Sequence, residues 1–240
     1  MSERRRRALV LPPLAAILGV LMWGYTDLPD FGDRIGEYGR LLNENAQGQR
    51  HITNFVTVVM FGYRGLDTMV EEFILFTAVM GLVLLLRSSR TALGRPRRDT
   101  VTSDAVRTVG GALAPVLLLF GLWVITFGYI TPGGGFQGGV IASGGALMLW
   151  AAGGHRHFRR LAPSTLLDAT EGLGAAAYVA VGFLGLTAGA AFLANTLPLG
   201  SAGTLASSGT IAPLNWASGI EVTAAFVLIY QEFIEEYAQT

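Results

Sequence analysis

The sequence contains no cysteine and no lysine, and only three histidines occur among its 240 residues. Without cysteine, the chain alone offers no disulfide, no thiolate metal site and no cysteine nucleophile. His155 and His157 are two residues apart, a spacing that does not place both on one face of a helix, and His51 is remote from them in sequence. We therefore expect neither a metal site nor a cofactor.

Charged residues are also scarce, at 14% of the chain against a hydrophobic content of 51%. Soluble domains carry roughly 25% charged residues. This deficit, together with 32 glycines, indicates that lipid rather than water surrounds most of the protein. The composition predicts an all-α, multi-pass membrane protein.

Six apolar segments approach the roughly 20 residues that a helix needs to cross the hydrocarbon core. They predict transmembrane helices at Ala8–Tyr25, Met69–Leu86, Val109–Tyr129, Phe136–Gly153, Leu173–Leu193 and Leu214–Ile234. The first follows a basic start, as a signal peptide does, but large residues stand where a cleavage site needs small ones. We expect it to be a retained anchor.

The arginines predict the orientation, since loops rich in basic residues stay in the cytoplasm. With both termini cytoplasmic, 13 of the 17 arginines lie inside and four lie outside. Six of the 13 lie within or beside an Arg-rich linker at residues 91–103. The linker divides the chain into a two-span module at residues 1–90 and a four-span module at residues 104–240.

A glycine-rich loop between the third and fourth predicted helices is expected to form a tight outer turn that packs against a partner subunit. The residues concerned are Pro132, Gly133, Gly134, Gly135 and Phe136. Small residues four apart predict close helix packing in lipid, at Gly134/Gly138, Gly135/Gly139 and Gly185/Gly189.

Acidic residues within apolar segments are the candidate functional residues, since burying a charge in lipid costs ~2.5–3.5 kcal/mol on insertion scales. The candidates for an ion or proton path are Glu71, Glu221, Asp67, Glu72 and Glu171. Glu71 and Glu221 are the foremost, because both lie toward the outer side in the predicted topology. Each carboxyl group is able to hold a proton or to bind Na⁺ through oxygen.

Structural alternatives accompany these candidates. Arg64 stands three residues before Asp67 and could pair with it. Glu171 falls near the predicted start of the fifth helix, where the helix dipole alone accounts for an acid. Glu235 and Glu236, near the end of the last helix, are expected to be solvated.

The second half of the chain resembles a known family. Asp104–Trp150, Leu167–Leu186 and Ser207–Phe233 are similar to the B subunit of Mrp-type multisubunit Na⁺/H⁺ antiporters. The first half has its own resemblance. Asn54–Leu86 is similar to a module near the C-terminal end of the antiporter A subunit, which also occurs as the small E subunit of membrane-bound hydrogenases. In this module Glu71 takes the place of the family's glutamate, and Gly62 stands where an acid is frequent.

The resemblance implies a non-catalytic membrane subunit of a multisubunit antiporter that exchanges Na⁺ for H⁺ across a prokaryotic plasma membrane. Its partners are then other subunits of the complex, the two ions and membrane lipid, with no role for nucleic acid. In such complexes, lysines and glutamates of larger subunits carry protons. A chain without lysine is therefore expected to support a path rather than form one alone. Two alternatives stay open, namely an accessory subunit of an ion-pumping hydrogenase or related redox complex, and a purely structural subunit.

Overall fold

The computed structural model describes residues 3–26, 28, 36–91 and 103–237. The chain forms two units, Met1–Leu41 and Leu42–Thr240. The predicted linker at residues 91–103 lies almost wholly outside the described residues.

The described residues are predominantly helical and hold no β-strand beyond one isolated bridge between Gly200 and Ser207. This confirms the predicted all-α class. The elements are α1 (Glu3–Thr26), α2 (Glu37–Arg50), α3 (Phe55–Thr57), the π-helical segment π1 (Val58–Tyr63), α4 (Gly65–Thr91), α5 (Asp104–Thr126), α6 (Gly135–Leu161), α7 (Ser164–Thr187) and α8 (Ile211–Tyr237).

Within the described ranges, four helices are long and apolar enough to cross a membrane, at Gly65–Arg87, Asp104–Thr126, Ser164–Thr187 and Ile211–Glu236. They correspond to the second, third, fifth and sixth predicted spans. The first predicted span is a shorter apolar helix over Leu11–Thr26. The fourth lies in α6, which is long enough but less apolar, and its helical geometry breaks at Gly154, where φ is 70°. Six crossings therefore stay a prediction, while a multi-pass membrane protein is established.

α8 is the central helix of the larger unit. About two thirds of its apolar stretch is buried within the chain, and it packs against α4, α6 and α7. α4 belongs to the first predicted module and α8 to the second, so helices from both sides of the predicted linker pack together within the larger unit.

Glycines allow α6 to lie close between α5 and α8. A Cβ atom at Gly138 would come within 2.7 Å of the Gly121 carbonyl of α5, and one at Gly139 within 2.9 Å of Val222 in α8. The predicted small-residue faces at the start of α6 are thus confirmed as helix contacts.

The other predicted small-residue face, Gly185/Gly189, is wrong. α7 ends at Thr187, and Gly189 lies beyond it with a φ of 74°. Gly185 instead makes room for the chain that turns back after α7, beside the Ala191 carbonyl. The apolar run continues past the end of the helix, so hydropathy alone placed the end of the span too late.

Candidate functional site

The glycine-rich loop is held within the chain itself. The side-chain amide of Asn54 donates to the carbonyls of Gly128, Thr131 and Gly133 at 2.6, 3.0 and 3.2 Å. At the start of α6, the Gly135 amide donates to Asn215 Oδ1 of α8 at 2.7 Å. Intrachain bonds thus fix the turn, and contact of Pro132–Phe136 with a partner subunit stays a prediction.

Three glutamates on three different helices come together inside the larger unit. Glu72 of α4, Glu171 of α7 and Glu221 of α8 are each at most 2% exposed. The carboxyl groups of Glu72 and Glu221 approach each other, and Glu171 lies close enough to act electrostatically on Glu221. We call these residues the three-carboxyl cluster.

The carboxyl oxygens of the cluster have few hydrogen-bond donors around them. None of the six forms a hydrogen bond of normal geometry with any residue that the structure describes. The hydroxyl of Ser218, one turn before Glu221 on α8, is also buried without such a bond and lies beside Glu72. Buried polar groups without partners are rare in native proteins, and each needs an explanation.

Close helix packing positions the cluster. Gly174 stands one turn after Glu171 on α7, where a Cβ atom would lie 2.7 Å from the backbone nitrogen of Glu221. The absent side chain lets α8 approach α7 at this level. Nearby, the Tyr178 hydroxyl donates to the Gly65 carbonyl at 2.9 Å and joins α7 to the start of α4.

The other acidic candidates lie outside the cluster. Glu71 is exposed on the surface of α4. Asp67 is half-exposed and forms an ion pair with Arg64 at 2.6 Å, which is the structural alternative considered for this residue. The structure therefore brings Glu72, and not Glu71, to Glu221.

The position of Glu171 corrects an expectation. α7 begins at Ser164, nine residues before the predicted start at Leu173, because polar residues at its first turns kept this part out of the apolar run. Glu171 consequently lies two turns inside the helix, roughly 10 Å from its start, and is fully buried. The dipole of a helix N-terminus acts only within the first turn and does not account for it.

A second set of charged side chains lies toward the other end of α4. Arg87 donates through Nη1 and Nη2 to both carboxyl oxygens of Asp168, at 2.9 and 3.2 Å, and through Nε to Glu232 at 2.8 Å. Arg87 and Asp168 are about one third exposed, whereas Glu232 is 1% exposed. These three residues, the Arg87 network, join α4, α7 and α8.

Glu235 was expected to be solvated, and this was wrong. It is 3% exposed, with Arg159 Nη1 of α6 at 3.1 Å and His155 Nε2 at 4.0 Å. The end of α6 folds over this part of α8 and supplies the compensating charge, so burial here depends on a tertiary contact that the helix sequence alone does not contain.

The α8 sequence did carry a signal for Ser218 and Glu232, which were not among the predicted candidates. Ser218, Glu221, Glu232 and Glu235 recur at spacings that place them on one helix face, as three- and four-residue steps do. That pattern indicates an inward-facing polar stripe. Arg87 had no comparable signal, because it stands where a span ends and basic residues are expected anyway.

Comparison with known proteins identifies relatives of this chain. Residues 105–228 match the family described as a domain related to the MnhB subunit of Na⁺/H⁺ antiporter. The uncharacterized protein MJ1307 of Methanocaldococcus jannaschii is 31% identical over 221 residues, which cover 77% of this chain and 80% of that protein.

Two solved structures share the fold. A chain of the membrane-bound sulfane sulfur reductase, an archaeal respiratory membrane complex, aligns with a TM-score of 0.76 and 30% identity, covering 96% of this chain and 98% of that one. A chain of the Mrp complex from Dietzia sp. DQ12-45-1b aligns with a TM-score of 0.73 and 22% identity, covering 98% of this chain and 26% of the other.

Proposed function

We propose that this chain, which belongs to the family of domains related to the MnhB subunit of Na⁺/H⁺ antiporters, is a non-catalytic membrane subunit that lines part of the ion path of a multisubunit antiporter. The observation that carries the proposal is the three-carboxyl cluster, buried at the junction of three spanning helices. Ionisable groups in such positions are expensive, and they mark ion and proton pathways.

The chemistry of the cluster suits a proton or Na⁺. Two charged carboxylates close together in a medium of low dielectric constant repel each other strongly. A proton shared between Glu72 and Glu221, or a Na⁺ bound between their oxygens, relieves that repulsion. Oxygen ligands are the ones that hard cations prefer, and the Ser218 hydroxyl adds another beside Glu72.

Depth along the helices also favours an ion path. Glu72 lies about 10 Å from the start of α4, and Glu221 about 15 Å from the start of α8, at 1.5 Å per residue. Both are therefore within the hydrocarbon core, which is about 30 Å thick. In the predicted topology both are reached from the outer side, and the complex lies in a prokaryotic plasma membrane.

A second candidate is the same ion-handling role in a redox-driven complex. It is favoured by the likeness to the membrane-bound sulfane sulfur reductase, which is 30% identical and extends over nearly the whole of both chains. Purification of the native complex separates the two candidates. Iron–sulfur clusters in co-purifying subunits would identify the redox complex, and their absence with antiporter subunits present would identify the antiporter.

Glutamine substitutions test the proposal directly. Gln keeps the size and hydrogen bonding of Glu but cannot titrate, so we expect Glu72→Gln, Glu171→Gln and Glu221→Gln each to reduce Na⁺/H⁺ exchange by about tenfold or more. Exchange is measured in everted membrane vesicles that contain the whole complex, and the amount of complex is quantified in the same membranes.

Glu71→Gln is the matched control, since this neighbouring carboxyl lies outside the cluster and we expect a smaller effect. Normal exchange in all three cluster variants, with full assembly, would remove the transport role and leave the purely structural one.

A further inference from the structure

We propose, on the basis of the function proposed above, that the proton route from the three-carboxyl cluster to the far side of the membrane follows α7 through Glu171 to Asp168, and does not follow α8 to Glu232. Asp168 is then the group that exchanges protons with water at that face, and Arg87 is its positioning residue. Four observations carry this inference.

The α8 route is closed by an apolar layer. Glu221 and Glu232 lie on the same face of α8, eleven residues or roughly 16 Å apart. Between them on that face stand Ala225 and Leu228, which are fully buried against Val79 and Val83 of α4. We call these four residues the apolar layer. Since it holds no polar side chain, a proton would have to cross it without a hydrogen-bonding group.

The α7 route, unlike the α8 route, offers acidic side chains at successive turns. Asp168 and Glu171 are three residues apart on one helix, which places their Cβ atoms about 5–6 Å from each other. The charge of Asp168 acts on the carboxyl of Glu171, and Glu171 in turn acts on Glu221. Each acidic group thus has the next one as a neighbour, from Glu72 to Asp168.

Exposure distinguishes the two possible ends. Asp168 is 32% exposed, whereas Glu232 is 1% exposed behind Arg87. Of the two, only Asp168 reaches the surface of the chain. It does so at the level of Arg87, which lies 15 residues after Glu72 on α4, or about 22 Å along the helix. That length is most of the hydrocarbon thickness.

Arg87 explains how Asp168 is held for this role. Its bidentate contact fixes the carboxylate in the plane of the guanidinium group, a geometry that lysine does not reproduce. Glu232 accepts from Nε of the same guanidinium group. The other charged groups of this region, Arg159, His155 and Glu235, are engaged with one another further along α8.

Each transfer is a simple proton step. A hydronium ion gives a proton to the carboxylate of Asp168 and leaves as water. When side-chain rotation or a bridging water brings Asp168 and Glu171 within hydrogen-bonding distance, the O–H bond of Asp168 breaks as the carboxylate of Glu171 takes the proton. Glu171 passes it to Glu221 in the same way. Transport in the opposite direction reverses these steps, and no other reactant is needed.

Asp168→Asn and Glu232→Gln form a matched pair for the test, because each removes one carboxylate from Arg87 and keeps an oxygen that accepts from it. In vesicles containing the whole complex, we expect Asp168→Asn to reduce exchange by about tenfold or more. We expect Glu232→Gln to stay within about twofold of the unchanged complex, since this residue is off the route. Asp168→Glu should restore most of the activity by returning a titratable group.

Equal losses in Asp168→Asn and Glu232→Gln would overturn the inference, and so would normal exchange in Asp168→Asn. An Asp168→Asn loss that Asp168→Glu does not restore would also overturn it, because a structural role would then explain the loss. The cluster variants distinguish a failure of the α7 route from a failure of the proposed function. If Glu72→Gln and Glu221→Gln lose exchange while Asp168→Asn does not, the cluster function stands and only the α7 route fails.

Discussion

At the scale of single residues, the contact between Gly174 and Glu221 determines how closely α7 and α8 approach beside the three-carboxyl cluster. The space that a Gly174 side chain would need is filled by the backbone and Cβ atom of Glu221, 2.7 Å away. A backbone atom cannot move aside as a flexible side chain does, so the helices themselves would have to separate.

We therefore predict that Gly174→Ala lowers the stability of the complex by about 1–3 kcal/mol, the usual effect of overpacking, and reduces ion exchange. The measurement is the thermal unfolding midpoint of the purified complex, alongside exchange in vesicles. Gly172→Ala is the control, since no described atom lies within 4 Å of the position of its Cβ atom. Equal behaviour of the two variants would contradict the account.

The sequence predicted that glutamates form the site, but it did not predict which of the two adjacent glutamates of α4 faces inward. Glu221 stands alone within its apolar segment, and Glu171 stands beside the predicted start of another, which was enough to select both. Glu71 and Glu72 are adjacent, with apolar residues on several sides of α4, so periodicity does not decide which carboxyl faces inward. Packing against α8 decides it, and this is tertiary information.

At the scale of elements, one side chain joins the segment before α4 to the glycine-rich loop. Asn54 Oδ1 accepts from the Val56 amide at 3.1 Å and caps α3, while its amide group donates to three carbonyls of residues 128–133. The oxygen of this side-chain amide therefore caps α3, while its nitrogen holds the glycine-rich loop.

Asn54→Asp separates these two contributions. Asp retains the acceptor for the helix cap but loses the donor and places a carboxylate against carbonyl oxygens. We predict a loss of about 1–3 kcal/mol or more, the penalty for unsatisfied buried polar groups, seen as a lower unfolding midpoint. Asn43→Asp, at an exposed position of α2, should leave the midpoint unchanged. A stable Asn54→Asp variant would show that these bonds contribute little.

Hydropathy predicted where the helices lie, but it did not predict the residues at which they begin and end. Apolar runs located the four helices that, among the described residues, are long and apolar enough to span a membrane, because lipid imposes the same composition on each. The start of α7 and its end at Thr187 are set instead by polar first turns and by a chain reversal that packs on Gly185. The polar first turns lower the hydropathy at the start of α7, so the predicted span begins too late. The reversal after Thr187 leaves the apolar run uninterrupted, so the predicted span also ends too late.

At the scale of the whole molecule, orientation rests on the arginine distribution. The absence of cysteine makes the chain suitable for accessibility labelling with single introduced cysteines. We predict that Thr100→Cys, in the Arg-rich linker, reacts with an impermeant maleimide only after the membrane is opened. Ser201→Cys, between α7 and α8, should react in intact cells. The reverse pattern would invert the topology, and with it the side from which Glu72 and Glu221 are reached.

Buried carboxyl groups of this subunit are proposed to handle the transported ions, and Glu221 is the most informative position because the carboxyl groups of both Glu72 and Glu171 act on it electrostatically. The measurement is Na⁺-driven proton movement in proteoliposomes that contain purified complex, either unchanged or carrying Glu221→Gln, at equal subunit content. The account predicts a reduction of about tenfold or more. Equal rates and equal pH dependence in the two preparations would contradict it.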